Sequence, residues 1–185
     1  MENFVYIFLI AVSLALDAFA VSISSGLTVK GFSFKHALLM GIYFGAFQFI
    51  MPLLGWLLGS SVASYLTKIS PYISFGLLAF IGGRMVYSSI KGDGEEALQE
   101  LTHPKLLMLA IATSIDAFAV GVTFAFMDIS IWFACTVIGL VAFFMSIAGG
   151  MLGGKLGEKF SDRAGIFGGV VLIAIGLKIL IESFM

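Results

Sequence analysis

The pentapeptide Asp-Ala-Phe-Ala-Val occurs twice, at Asp17–Val21 and at Asp116–Val120. Each copy falls near the middle of an apolar stretch long enough to cross a bilayer. A carboxylate at that depth costs about 2.5–3.5 kcal/mol on insertion scales, and chains keep one where it pairs, binds a cation or relays protons. Two copies in one local sequence point to a single site built from two related halves. Arg84 and Lys178 also lie inside apolar stretches. The four charges either form two buried bridges that only hold helices together, or they make a site. Converging carboxylates would offer a divalent cation two negative charges and hard oxygen ligands. Such oxygens suit Mg, Ca and Mn, whereas zinc and copper sites recruit His or Cys, and neither residue type flanks these aspartates. If Arg84 and Lys178 pair with the aspartates in the empty site, they compete with the cation and weaken its binding enough for release.

Helical spacing places Ser13 and Ser24 on the face of Asp17, and Thr113 and Thr123 on that of Asp116. Their hydroxyls are either extra oxygens for the site or the small groups that let membrane helices approach closely. Pro52 removes its own N–H and disturbs the bond to the carbonyl of Gln48. Gln48 therefore brings a backbone and a side-chain oxygen to mid-membrane depth. It is the third candidate metal ligand beside Asp17 and Asp116, lining a cavity or bonded to a neighbouring helix. Met51 and Met145 read as gap fillers.

These side chains must be held by membrane helices. Of 185 residues, 60% are hydrophobic and 11% charged, against roughly 25% charged in soluble domains. The formal net charge of −1 gives no sign of nucleic-acid binding. The lone cysteine, Cys135, excludes an intramolecular disulfide and reads as a packing residue. The first apolar run lacks a basic flank and exceeds a signal-peptide core, so it is expected to stay as a span. Crossing the hydrocarbon takes about 20 residues of helix. Six runs qualify: 4–27, 37–58, 72–90, 106–127, 131–152 and 165–183. The first, third and fifth loops hold Lys30, Lys35, Lys91, Lys105, Lys155, Lys159 and Arg163, against Lys68 alone on the other side. That bias places both termini outside the cytoplasm.

The duplication extends past the pentapeptide. An offset of 94 aligns Gly45 with Gly139, Phe49 with Phe143, Gly55 with Gly149, Gly82 with Gly176 and Arg84 with Lys178. The first and fourth spans align at an offset of 99. Three helices per half is an odd number, so the second half enters the membrane inverted. The expected fold is an all-α integral membrane protein of six transmembrane helices in two inverted-topology three-helix repeats. Residues 1–92 and 105–185 form the halves, and a polar cytoplasmic linker over 93–104 joins them. Transporters of this plan bind substrate at the repeat interface near the midplane.

Five segments resemble the bacterial MntP manganese efflux pumps: Leu16–Ala20, Phe44–Gln48, Pro52–Trp56, Gly82–Met85 and Ala112–Gly121. The similarity covers essentially the whole chain. It implies a plasma-membrane exporter that removes Mn²⁺ from a bacterial cytoplasm, with Asp17, Asp116 and Arg84 as functional positions. Some relatives carry Glu where this chain has Gln48. Mn²⁺ is then substrate rather than cofactor, no cofactor is expected, and the lipid bilayer is the surrounding partner. Export against an inward-negative potential needs an energy source, since a divalent charge opposes ~4.6 kcal/mol per 100 mV. Counter-transported protons are the simplest source, and no P-loop for ATP is present. The rival readings are an exporter of another divalent cation or of an amino acid, and a passive cation channel. A membrane enzyme is disfavoured, because the spans hold no Ser–His or Cys–His constellation.

Overall fold

The computed structural model describes residues 2–29, 31–91, 101–127, 129–159 and 164–182, with the side chains of 59–71 and of Arg84 among those outside the description. It holds five helical runs: α1 (Glu2–Thr28), α2 (Phe34–Lys91), α3 (His103–Phe124), α4 (Ile131–Lys159) and α5 (Ala164–Glu182). Most of the expected linker, 93–100, lies outside the described residues. In lipid every backbone amide must find its partner within the segment, so long apolar runs become helices. Among the described residues, four stretches are long and apolar enough to cross a membrane: Phe4–Thr28, Phe34–Leu58, His103–Phe124 and Ile131–Leu156. A shorter apolar helix spans Gly169–Lys178.

The second and third expected spans both fall within α2, whose two ends share one core cluster through Met40, Phe44, Leu78 and Ile81. At about 1.5 Å per residue a straight α2 would reach about 87 Å and hold Gln48 about 45 Å from Leu78. Gln48, however, bonds to Leu14, Asp17 three residues on pairs with Lys178, and Gly176 rests on Leu78. That chain of contacts is far shorter than 45 Å allows, so α2 doubles back into two arms, 34–58 and 72–91.

Helix directions follow from the contacts. Gly149 meets Phe19 and Gly153 meets Ile23, so α1 and α4 run parallel. Tyr43 pairs with His103, Gln48 with Thr113 and Pro52 with Gly121, so the 34–58 arm runs parallel to α3. The same arm runs antiparallel to α4, with Gly41 beside Ile147 and Gly45 beside Gly139. The 72–91 arm runs antiparallel to α5, where Leu78 faces Gly176 and Gly82 faces Gly169.

The arm–α4 crossing is reciprocal. A Cβ on Gly45 would lie 3.0 Å from the Gly139 carbonyl oxygen, and one on Gly139 would lie 3.0 Å from that of Gly45. Only glycine lets both backbones approach this closely.

The core divides into two clusters. One gathers Ala18, Val21, Met40, Phe44, Leu78, Ile81, Leu106, Leu109, Leu172 and Ile175. The other gathers Ile7, Ala11, Leu14, Ala117, Phe124, Ile131, Cys135 and Ile138. The seam falls at the aspartates. On α1, Leu14 belongs to one cluster and Ala18 to the other; on α3, Ala117 and Ala112 divide in the same way. Cys135 is fully buried. Two helix ends differ from expectation. α3 stops at Phe124, where Ala125–Met127 close a turn on i−3 carbonyls. α4 continues to Lys159, its glycines at 153 and 154 pressed onto Ile23 and Phe32.

Candidate functional site

Asp17 sits two-thirds along α1 and is mostly buried, its side chain 14% exposed. Lys178, in the last turn and a half of α5, places Nζ 3.6 Å from Asp17 Oδ1. The pair joins the first half of the chain to the second. Lys178 itself is 55% exposed.

Asp116 is partly buried in α3, and its Oδ1 accepts the N–H of Ala117 at 2.8 Å. Asp17 and Asp116 both stand at the seam between the clusters, with the Lys178 ammonium beside Asp17. Arg84 lies on the 72–91 arm of α2, and its side chain is outside the described residues.

Gln48 is fully buried on the 34–58 arm. Its Nε2 donates to the carbonyl of Leu14 on α1 at 3.4 Å and to that of Thr113 on α3 at 3.1 Å. Its Oε1 has no hydrogen-bond partner among the described groups. A buried oxygen left unpaired carries a desolvation cost of about 1–3 kcal/mol, which a ligand or a water would relieve. Of the two readings open for Gln48, bonding to a neighbouring helix is realised, and to two helices at once.

The hydroxyls chosen by spacing turn to their own helices. Thr113 Oγ1 donates to Leu109 and Ala110 carbonyls, and Thr123 Oγ1 to that of Ala119. Ser13 and Thr123 are exposed, whereas Ser24 is buried. Met51 and Met145 are partly buried. Sequence reasoning missed the carbonyls of Leu14 and Thr113. The signal was available, because the offset of 99 that relates the aspartates also relates these two residues. It also missed Ser22 and Ser146, both fully buried, with hydroxyls that have no partner among the described residues.

Among the described residues no three His, Cys, Asp or Glu side chains gather as a metal-binding group. Oxygen donors here come from two carboxylates, one amide and backbone carbonyls, a hard set.

Fold and site together define a multi-pass, all-helical membrane protein with charged groups held at the seam of its core. The sequence matches the family described as "Putative manganese efflux pump" over residues 30–180. The chain belongs to this family. It is 47% identical over 180 residues to Putative manganese efflux pump MntP of Methanosarcina mazei, covering 97% of each chain. The protein of the same name from Desulfitobacterium hafniense is 47% identical over 176 residues, covering 95% of this chain and 93% of that one. That of Clostridium perfringens is 42% identical over 191 residues, covering 91% and 90%. No solved structure matches. The family is thus one of transporters by its description, not of enzymes.

Proposed function

We propose that this protein exports Mn²⁺ as a proton-coupled secondary transporter, with the metal held between Asp17 and Asp116 and by Oε1 of Gln48. The relatives' names supply the metal and the direction. The observation that carries the site is that both aspartates of the duplicated motifs stand at the seam between the two core clusters, with Lys178 Nζ 3.6 Å from Asp17 Oδ1. Mn²⁺ arriving between the carboxylates displaces the Lys178 ammonium, and Arg84 plays the corresponding part for Asp116. Protons take the metal's place on the outer side and return the empty carrier.

Six spans in two inverted halves, 1–92 and 105–185 joined by 93–104, provide the alternating access. Reciprocal contacts support this arrangement. Gly45 and Gly139 meet each other's carbonyls, Gly55 meets the carbonyl of Phe118, and Gly149 that of Phe19. The offsets of 94 and 99 turn each of these contacts into its counterpart. The basic residues place both termini outside the cytoplasm of the cell, in the plasma membrane.

The test is Mn²⁺ efflux from cells and uptake into everted vesicles, with and without an imposed pH gradient. Metal movement that follows the proton gradient and disappears in Asp17→Asn supports the reading. Flux that follows only the Mn²⁺ gradient would make the protein a channel, and unchanged cellular manganese on deletion would remove the metal.

A further inference from the structure

Gln48 does more than contribute an oxygen. The two carbonyls on its Nε2, those of Leu14 and Thr113, each stand three residues before an aspartate. The same offset of 99 that takes Asp17 to Asp116 takes Leu14 to Thr113. One side chain thus grips corresponding points on both aspartate-bearing helices. The other half of the chain carries Ala142 at the position matching Gln48, fully buried and without a polar group to donate. A single amide therefore serves both halves.

The chemistry favours an amide. Its nitrogen has two hydrogens, one for each carbonyl, and the two acceptors fix which end of the group is nitrogen. A protonated Glu in this place, as some relatives resembling this chain carry, would offer one hydrogen rather than two and so hold one carbonyl instead of both. The geometry also ties the grip to the carboxylates, because a helix moves as a rigid element over one turn. A shift of the Leu14 or Thr113 carbonyl carries Asp17 or Asp116 with it.

We propose that Gln48 is a positioning residue whose amide nitrogen sets the separation of Asp17 and Asp116, and through it the cation radius that the site prefers. This rests on the reading of the two aspartates as a cation site. A separation fixed by one short, dry crosslink discriminates among divalent ions, and a loosened one accepts Mg²⁺ and Ca²⁺ more readily.

Gln48→Met keeps the volume and removes both donors. In proteoliposomes the variant is expected to raise the KM for Mn²⁺ at least tenfold and to narrow the preference for Mn²⁺ over Mg²⁺ and Ca²⁺. Nitroxides on Phe4→Cys and Phe126→Cys, in a Cys135→Ala background, report the α1–α3 distance by double electron–electron resonance. That distribution is expected to broaden in Gln48→Met. If Gln48→Met does not fold, Gln48→Asn supplies the same readings, since its amide is too short to reach both carbonyls. A distribution and KM equal to those of the unsubstituted protein would overturn the proposal. Wild-type protein is titrated with Mn²⁺ in parallel by its electron-spin signal. An unaltered distribution in protein that binds Mn²⁺ removes the clamp alone; a broadened one in protein that does not bind Mn²⁺ keeps the clamp and removes the metal.

Discussion

The crossing of α1 with α4 and the crossing of the 34–58 arm with α3 share a backbone contact and differ in side chains. In the first, Gly149 sits against the Phe19 carbonyl; in the second, Gly55 sits against that of Phe118. Close to these contacts the two part company. The α1–α4 crossing buries Ser22 and, one turn before Gly149, Ser146, with neither hydroxyl bonded. At the matching positions the arm–α3 crossing has Gly121 pressed onto Pro52. Other buried or partly buried hydroxyls, such as Thr28 and Ser114, donate to carbonyls of their own helix, as membrane helices usually arrange. Duplication has kept the geometry of approach, which sterics enforce at each glycine. It has let the polar content drift, because a hydroxyl or a hydrogen fits the same small space.

The aspartates show the same divergence. Asp17 has an ammonium at 3.6 Å, whereas Asp116 takes the N–H of the next residue. The severest way to break the comparison is to remove each charge in turn. Asp17→Asn and Asp116→Asn are each expected to lower Mn²⁺ efflux at least about 100-fold, equivalent to about 3 kcal/mol. Transport by matched amounts of membrane-inserted protein checks this. A residual rate that is equal in both would show that the unequal surroundings do not matter.

The glycine contacts come next. Gly55→Leu and Gly149→Leu drive a side chain onto a carbonyl, and overpacking of this kind costs about 1–3 kcal/mol or more. Melting temperatures in detergent are expected to fall by roughly 5 °C for each. A large drop in only one would show that the two crossings differ in tightness as well as polarity.

Lys178→Met sharpens the contrast between the aspartates. With its competitor gone, Asp17 is expected to hold Mn²⁺ roughly threefold more tightly, a modest gain because the ammonium stands at 3.6 Å rather than at hydrogen-bond distance. Turnover is expected to slow by a similar factor. Equilibrium binding and transport rate, measured side by side, separate the two effects.

The smallest effect belongs to the serines. Ser22→Ala and Ser146→Ala each remove a buried hydroxyl that bonds to nothing, so stability is expected to hold or to rise by about 1 kcal/mol. Thr28→Val, which deletes a bonded hydroxyl, is expected to fall by a similar amount. Thermal melting of the three variants decides.

Much of this architecture could be read in the chain. Helical runs at 4–27, 106–127 and 131–152 were legible because lipid permits little else for apolar stretches of that length. The helical run that joins the two arms of α2 was not, since Gly59 and Pro71 are poor helix formers by propensity. That Lys178 would pair with an aspartate followed from charge alone, because isolated opposite charges in lipid seek each other. Its cross-half pairing with Asp17 in particular did not, as no local rule says which aspartate a distant lysine reaches. Gln48 was singled out through Pro52, a local cue. Its two acceptors lie 34 and 65 residues away, and only the repeat offset connects them.

Lys178 reaches Asp17 on a flexible four-carbon stem. Rotation about its single bonds takes picoseconds to nanoseconds, whereas helices shift over microseconds to milliseconds. On the proposed mechanism, filling and emptying the carboxylate is then the quick event, and the backbone sets the slow clock.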